Sequence, residues 1–218
     1  MNNQVAMYSQ TRNTLTTDHQ YGQYSVIDWR GPLVQEHLET LKKVLSRALQ
    51  DHPRTFAFRV DLRLPSFDFI YDENRLMERF TASFKKKIKH NREMSVKNNG
   101  RAPDTRVRYV WARETANAGQ PHFHFMFFLN RDAFHKLGKY ELGRDNIYNR
   151  LIGAWASALG LESSQAQGLV HMPDNPMYTV NIDDSESINA VFYRASYLAK
   201  LETKSYGEGR HAFGASRV

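Results

Sequence analysis

The spacing of apolar positions changes along the chain, and each change marks an element. Leu33, Leu38, Leu41, Val44, Leu45 and Leu49 recur at helical intervals, which puts them on one face of a helix. Pro32 suits a first helical turn and Pro53 ends the run, so a helix is expected over residues 32–50. From Thr55 to Leu64 the period falls to two. Phe56, Phe58, Val60, Leu62 and Leu64 alternate with polar partners until Pro65 stops them, the pattern of a half-buried strand. Asp72 to about Lys97 reads as a long basic helix. Alternation returns in Thr105–Thr115 (TRVRYVWARET), breaks at the polar turn Asn117–Gln120, and resumes in His122–Leu129. Helices are expected near Asp132–Leu137 and Arg144–Leu159, a short strand at Tyr178–Ile182, and a final helix from Glu186 to about Leu201. Residues 1–25 read as a flexible or extended segment, and the tail YGEGRHAFGASRV is Gly-rich and irregular. The fold class is α+β, a central antiparallel sheet flanked by helices. Residues 26–218 form one domain, with its core in 54–217.

Composition narrows the chemistry. The 218 residues include no cysteine, which removes disulfides and thiolate metal sites and leaves histidine and carboxylate as strong ligands. The apolar run near Phe123–Leu129 is too short to span a bilayer, and the polar N-terminus has no apolar signal region. A soluble, cytoplasmic protein with no membrane partner is expected. The net charge of +7 is unevenly spread. Phe84–Arg101 (FKKKIKHNREMSVKNNGR) holds Lys85, Lys86, Lys87, Lys89, Arg92, Lys97 and Arg101 against the single acid Glu93. A basic face of that kind fits phosphate.

Pro121-His122-Phe123-His124-Phe125 is the most informative pentapeptide. On a strand the two imidazoles share one face and the two phenyl rings the other, so His122 and His124 make half of a metal site. Glu114 lies in the preceding strand. A two-residue turn would pair Glu114 with Phe123 on the wrong face, whereas a loop of three or five residues pairs it with His124 or His122. A metal centre at Glu114, His122 and His124 therefore places a demand on the loop. Downstream, Tyr193, Tyr197, Lys200 and Lys204 fall on one side of a helix, with Val191, Phe192, Ala195, Leu198 and Ala199 on the other.

Glu114, then His122-Phe123-His124, then Tyr197-Leu198-Ala199-Lys200 resembles the pattern of HUH endonucleases, in the order of their replication-initiator branch. Tyr193, four residues before Tyr197, looks like the two-tyrosine version. FRVDLRLP (Phe58–Pro65) sits where the first motif of that family lies. PHFHF, SYLAK and the tail GRHAFGASR are similar to the replication proteins of inovirus prophages, over roughly residues 54–217.

The resemblance implies metal-dependent nicking and rejoining of single-stranded DNA, which starts rolling-circle replication or transfer of a mobile element. Tyr197 would be the nucleophile, Tyr193 an optional second, and Lys200 their activating partner. Glu114, His122 and His124 would hold Mn2+ or Mg2+, with Zn2+ as an alternative. Lys85, Lys86, Lys87, Lys89, Arg92, Lys204, Arg210 and Arg217 would contact DNA. The implied partners are single-stranded or hairpin origin DNA and a separate helicase, because no phosphate-binding loop of the helicase type is present. Two alternatives stay open: a non-catalytic DNA-binding module or repressor on the same fold, and a zinc hydrolase with a two-His, one-Glu site. Asp61 could approach the metal from below or pair with Arg59 or Arg63, and it is left outside the site.

Overall fold

The computed structural model describes residues 13–65, 72–115, 120–202, 204 and 209–217. Its centre is a six-stranded antiparallel sheet. In chain order the strands are β1 (Leu15–Thr16), β2 (Gln20–Tyr21), β3 (Tyr24–Ser25), β4 (Leu33–Val34), β5 (Arg54–Arg63), β6 (Arg108–Thr115), β7 (Pro121–Asn130), β8 (Val170–His171), β9 (Met177–Asn181) and β10 (Phe213–Ala215). The helices are α1 (Gln35–Asp51), α2 (Glu73–Asn99), α3 (Ile147–Leu159), α4 (Ser163–Ala166) and α5 (Ser185–Ser196), the last followed by a 3-10 turn at Tyr197–Ala199. The sheet order is β10-β6-β7-β5-β8, with β9 also paired to β5. The α+β expectation with a central antiparallel sheet is met.

Alternation on β5, β6 and β7 feeds two apolar layers. One face carries Phe58, Trp111, Phe123, Phe125 and Phe127 against Phe80 and Phe84 of α2 and Trp155 of α3. The other carries Ala57, Val110, Ala112, Met126 and Phe128 against Leu38, Leu41 and Leu45 of α1 and Val191, Phe192 and Ala195 of α5. The second face stays apolar only part-way. Towards one end the same rows continue as Arg59 and Asp61 on β5, Glu114 on β6, and His124 and His122 on β7. Trp155 donates its indole N–H to the Arg63 carbonyl at 2.9 Å, which ties α3 to that end of β5.

Several boundaries differ from the sequence pattern, each for a local reason. Leu33 and Val34 pair with Thr16 and Leu15, so α1 starts at Gln35 rather than at Pro32. No helix forms at 132–137. Asn130 takes the amides of Asp132, Ala133 and Phe134 into a single turn, and Gly138 follows at φ +88°. One hydrogen-bonded turn is too little to carry a helix. α3 begins at Ile147 because the Asn146 side chain accepts from the Asn149 amide and so caps it. Within the segment 1–25, residues 13–25 hold three short strands. The expected turn residues Asn117–Gly119 lie outside the described residues.

No helix among the described residues is long and apolar enough to cross a membrane. Phe127 is fully buried and packs on Phe58, Phe84 and Phe125 at 5.3, 4.8 and 5.2 Å between ring centroids. Phe127→Ala should therefore cost about 3–5 kcal/mol, whereas Asn146→Ala, which removes one cap, should cost about 1 kcal/mol. Urea unfolding midpoints check both, and equal losses would contradict the layered core described above.

Candidate active site

The β5–β7–β6 ladder brings the chemistry together. Thr115 pairs with Pro121 and Glu114 with His122, so five residues close the hairpin, one of the two odd loops that the Glu114 site required. Across the other edge of β7, Asp61 pairs with His124 and Arg63 with His122. His124 thus sits between two carboxylates. Its Nδ1 lies 2.7 Å from Asp61 Oδ1 and its Nε2 lies 3.3 Å from Glu114 Oε2. Arg59 Nε reaches the same Asp61 oxygen at 3.1 Å. Asp61 was set outside the site on sequence and belongs inside it, because its side chain faces His124 rather than solvent.

The downstream segment supplies the rest. Lys200 Nζ lies 3.0 Å from Glu114 Oε2 and donates to the Tyr197 hydroxyl at 2.8 Å. Arg59 lies 4.5 Å above the Tyr197 ring and Lys200 4.2 Å from it, while the His124 ring meets it edge-on at 5.8 Å. One continuous chain therefore runs from Tyr197 through Lys200, Glu114 and His124 to Asp61.

Four contacts hold this turn. The Ser196 hydroxyl donates to the Tyr193 carbonyl at 2.7 Å and accepts the Ile27 amide at 3.0 Å. Leu33 bridges Lys200, and the Leu201 amide donates to the Pro32 carbonyl at 2.9 Å. The expected continuous helix to Leu201 gives way to the 3-10 turn here, and residues 15–34 act as a strap across it.

The structure divides the expected tyrosine–lysine stripe. Tyr193 is exposed and lines a separate pocket with Asp174, Asn175, Tyr178 and Asn189. Lys204, expected to face DNA, is only 2% exposed and donates to the Lys200 carbonyl at 2.6 Å. That expectation is corrected: Lys204 is an internal strut. Burial drives its ammonium down to about 7, against the pull of Glu114 and with the repulsion of Lys200. Arg210 ion-pairs at 3.3 Å with Glu73, which also holds buried Arg113 at 2.8 Å. Of the basic helix, Lys86 is exposed, Lys87 packs against Gly153, and Lys85, Lys89 and Arg92 line a groove together with Arg217.

Electrostatics follow from this packing. Burial raises the Asp61 and Glu114 carboxyls, but hydrogen bonds and charge from His124, with Arg59 for Asp61 and Lys200 for Glu114, override it and bring each down to about 2. Burial opposes protonation of His124, yet bonds to Asp61 and Glu114 prevail and raise it. His122 is lowered, by burial first and then by Arg63 and His124, so its imidazole is neutral near pH 7, the form that ligates metal.

Among the described residues no three His, Asp or Glu side chains converge in a geometry that could hold a metal ion. Residue types and one atom nevertheless fit one. Glu114 Oε1 is buried with no hydrogen-bond partner, and Glu114 faces neutral His122 across the ladder. Joining them, His124 would have to exchange its proton and a carboxylate contact for the ion.

A family model described as the YagK/YfjJ C-terminal domain matches residues 16–216. The chain belongs to this family. It is 32% identical to the uncharacterized protein YagK of Escherichia coli (strain K12) over 199 residues, covering 86% of this chain and 95% of that protein. It is 30% identical to the uncharacterized protein YfjJ of the same strain over 201 residues, covering 86% and 96%. No solved structure matches the chain significantly. The family match runs from the strap to β10, so it takes in Asp61, Glu114, His122, His124, Tyr197 and Lys200 alike.

Stability against acid should report the cluster. Asp61 and Glu114 titrate near 3.8 and 4.5 ordinarily and near 2 when folded. The stability they supply is complete above about pH 4.5 and is lost as pH falls towards 2. The raised His124 acts at the other end. Its share is complete below 6.5 and is lost as pH rises through its folded value. Urea midpoints between pH 2 and 5 should fall less steeply in Asp61→Asn and Glu114→Gln than in the wild type. Parallel slopes would show that these carboxylates do not carry the effect.

Proposed function

We propose that this protein is a metal-dependent nickase and rejoining enzyme for single-stranded DNA, of the HUH type, acting at the origin of a phage or mobile element. The observation that carries this reading is the Tyr197 hydroxyl held 2.8 Å from Lys200 Nζ, whose other contact is Glu114.

A phenol ordinarily titrates near 10 and attacks a phosphodiester poorly. A lysine ammonium at the phenolic oxygen stabilises the phenolate as the proton leaves. Tyr197 Oη would then attack phosphorus and form a P–O bond as the bond to the 3′ oxygen breaks. That oxygen takes up a proton and leaves as a free 3′-OH, while the 5′ phosphate stays on Tyr197. The link conserves the phosphoester, so a later 3′-OH can reverse it and rejoin a strand. A divalent ion, Mn2+ or Mg2+ with Zn2+ as alternative, would be held by Glu114, His122 and His124 and would offset charge on the non-bridging oxygens. Asp61 and Arg59 orient His124 and the Tyr197 ring. Tyr193 stands one helical turn earlier, in its own pocket, as the optional second acceptor. The proposed partners are single-stranded or hairpin origin DNA and a separate helicase, in the cytoplasm.

One observation favours the second reading, a DNA-binding module without catalysis. Both His124 nitrogens already face carboxylates, so the cluster is electrostatically closed without an ion. The experiment that separates the two is adduct trapping with labelled single-stranded oligonucleotides and Mn2+. Wild type and Tyr193→Phe should form a covalent protein–DNA adduct, and Tyr197→Phe should lose it while keeping DNA affinity. An adduct that maps to Tyr193 would reverse the assignment, and no adduct on any substrate would favour the binding module.

The metal has its own test. His122→Ala should abolish adduct formation and leave oligonucleotide affinity within about twofold, and excess chelator should do the same to the wild type. Cleavage that persists in chelator would remove the ion from the mechanism.

A further inference from the structure

The groove between α2 and the β6–β10 edge encloses about 1420 Å3, beyond the range of roughly 300–1,000 Å3 usual for a small-molecule pocket. It lies on the α2 face of the sheet, whereas Tyr197 and His124 lie on the α5 face. Along β6 it begins at Arg108, six residues from Glu114, which is about 20 Å of strand.

Its construction is specific. Lys85, Lys89 and Arg92 face it from one side of α2, at the i, i+4, i+7 spacing that puts residues on one helical stripe. The opposite wall is pinned in place. The Ser216 amide donates to the Tyr109 carbonyl at 2.9 Å, the Tyr109 amide donates to Ser216 Oγ at 3.2 Å, and Arg108 donates to the Arg217 carbonyl at 2.9 Å. This brings Arg217 to Lys85, 132 positions away in sequence.

The cations differ in how they are balanced. Lys89 has Glu93 at 3.8 Å, Arg108 is paired with Asp51, and Arg92 lies over the Phe134 ring and bonds the Pro103 carbonyl. Lys85 and Arg217 have no ion-pair partner among the described residues. Lys85 stands 5.1 Å from the Tyr109 ring centroid, and burial, then Arg217 and Arg108, depress its ammonium. Glu78, Glu93 and Asp104 also line the groove, but among the described residues none ion-pairs with Lys85 or Arg217, and two like charges left unbalanced on a fixed framework make a seat for an anion.

We infer that this groove is a second nucleic-acid site, in which Lys85 and Arg217 each hold a backbone phosphate of a DNA segment other than the one presented to Tyr197. The identity of the polyanion rests on the DNA reading above; the anion seat rests on the groove itself. An open, elongated channel with cations along one wall suits a strand that passes through, and an aromatic floor at Tyr109 suits a base or sugar beside it. Placing it on the opposite face lets the protein grip a flanking segment while the cut ends move.

The test is fluorescence anisotropy with the full-length protein in chelator, using a labelled 30-nucleotide single strand and a labelled hairpin across a range of salt. Lys85→Gln with Arg217→Gln should lower the slope of log affinity against log salt by roughly 1.4 on the single strand or 1.8 on the hairpin, from two lost phosphate contacts. Lys85→Arg should keep the wild-type slope. Lys42→Gln, which removes an equal charge from α1, should also leave it unchanged. An unchanged slope for the double variant would overturn the inference. So would a labelled poly-glutamate peptide that loses binding in the double variant while DNA does not, since the occupant would then be an acidic protein. Because no cleavage is read, a missing Tyr197 adduct and a missing groove remain distinguishable.

Discussion

Everything at the candidate site depends on the strand register of β7 against its two neighbours. Side chains alternate across a sheet, so a slip of one residue on either side would send Glu114 or Asp61 into the aromatic layer and a phenylalanine into the charged one. The phenylalanines prevent that slip. Phe123, Phe125 and Phe127 are fully buried against α2 and α3, and each is worth several kcal/mol in place. The apolar layer on one face of the sheet is therefore what aligns Asp61, Glu114 and His124 on the other. Packing energy far exceeds anything the ion pairs could supply by themselves, given the desolvation that buried charges must overcome.

Within that frame the charges are arranged for mutual satisfaction. Two carboxylates face His124, Lys200 and Arg59, and Glu114 Oε2 is shared by His124 and Lys200. Among the described residues of this cluster, Glu114 Oε1 is the atom buried without a hydrogen-bond partner. A network with one unmet acceptor is a place where an additional cation or donor gains more than it would at the surface. Lys200 links the cluster to Tyr197, so any change of charge around Glu114 is felt at the phenol. Lys204 braces the same lysine from behind through its carbonyl.

The parts legible in the sequence were those with a period. Alternation located β5, β6 and β7, and the odd-loop condition anticipated the Glu114–His122 pairing. Asp61 was missed because its role comes from the β5–β7 pairing, between strands more than sixty residues apart, while the adjacent Arg59 and Arg63 offered a local explanation. β1, β2, β3, β8 and β10 are two or three residues long, too short to show a period. Lys204 was misread because an isolated lysine is usually exposed, and because the helical stripe was extended past Ser196, where the backbone tightens into a 3-10 turn. Lys85 and Arg217 are both among the expected DNA contacts, but only the basic run on α2 is legible as one face of a groove. The other face arrives from the C-terminal end through β10.

The strap has a consequence for how the molecule is assembled. Ile27 meets Ser196, and Leu33 meets Lys200, so the first and last parts of the described chain close on each other across nearly its whole length. Contacts of such sequence separation form slowly, after local helices and hairpins. The β6–β7 hairpin can bring Glu114 and His122 together early, since only a short loop separates them. The turn that presents Tyr197 is locked only once the N-terminal end has returned to it. A chain still being synthesised, or one trimmed at its start, would hold the acidic and imidazole groups without a fixed phenol beside them. Competence of this site is thus tied to completion of the fold.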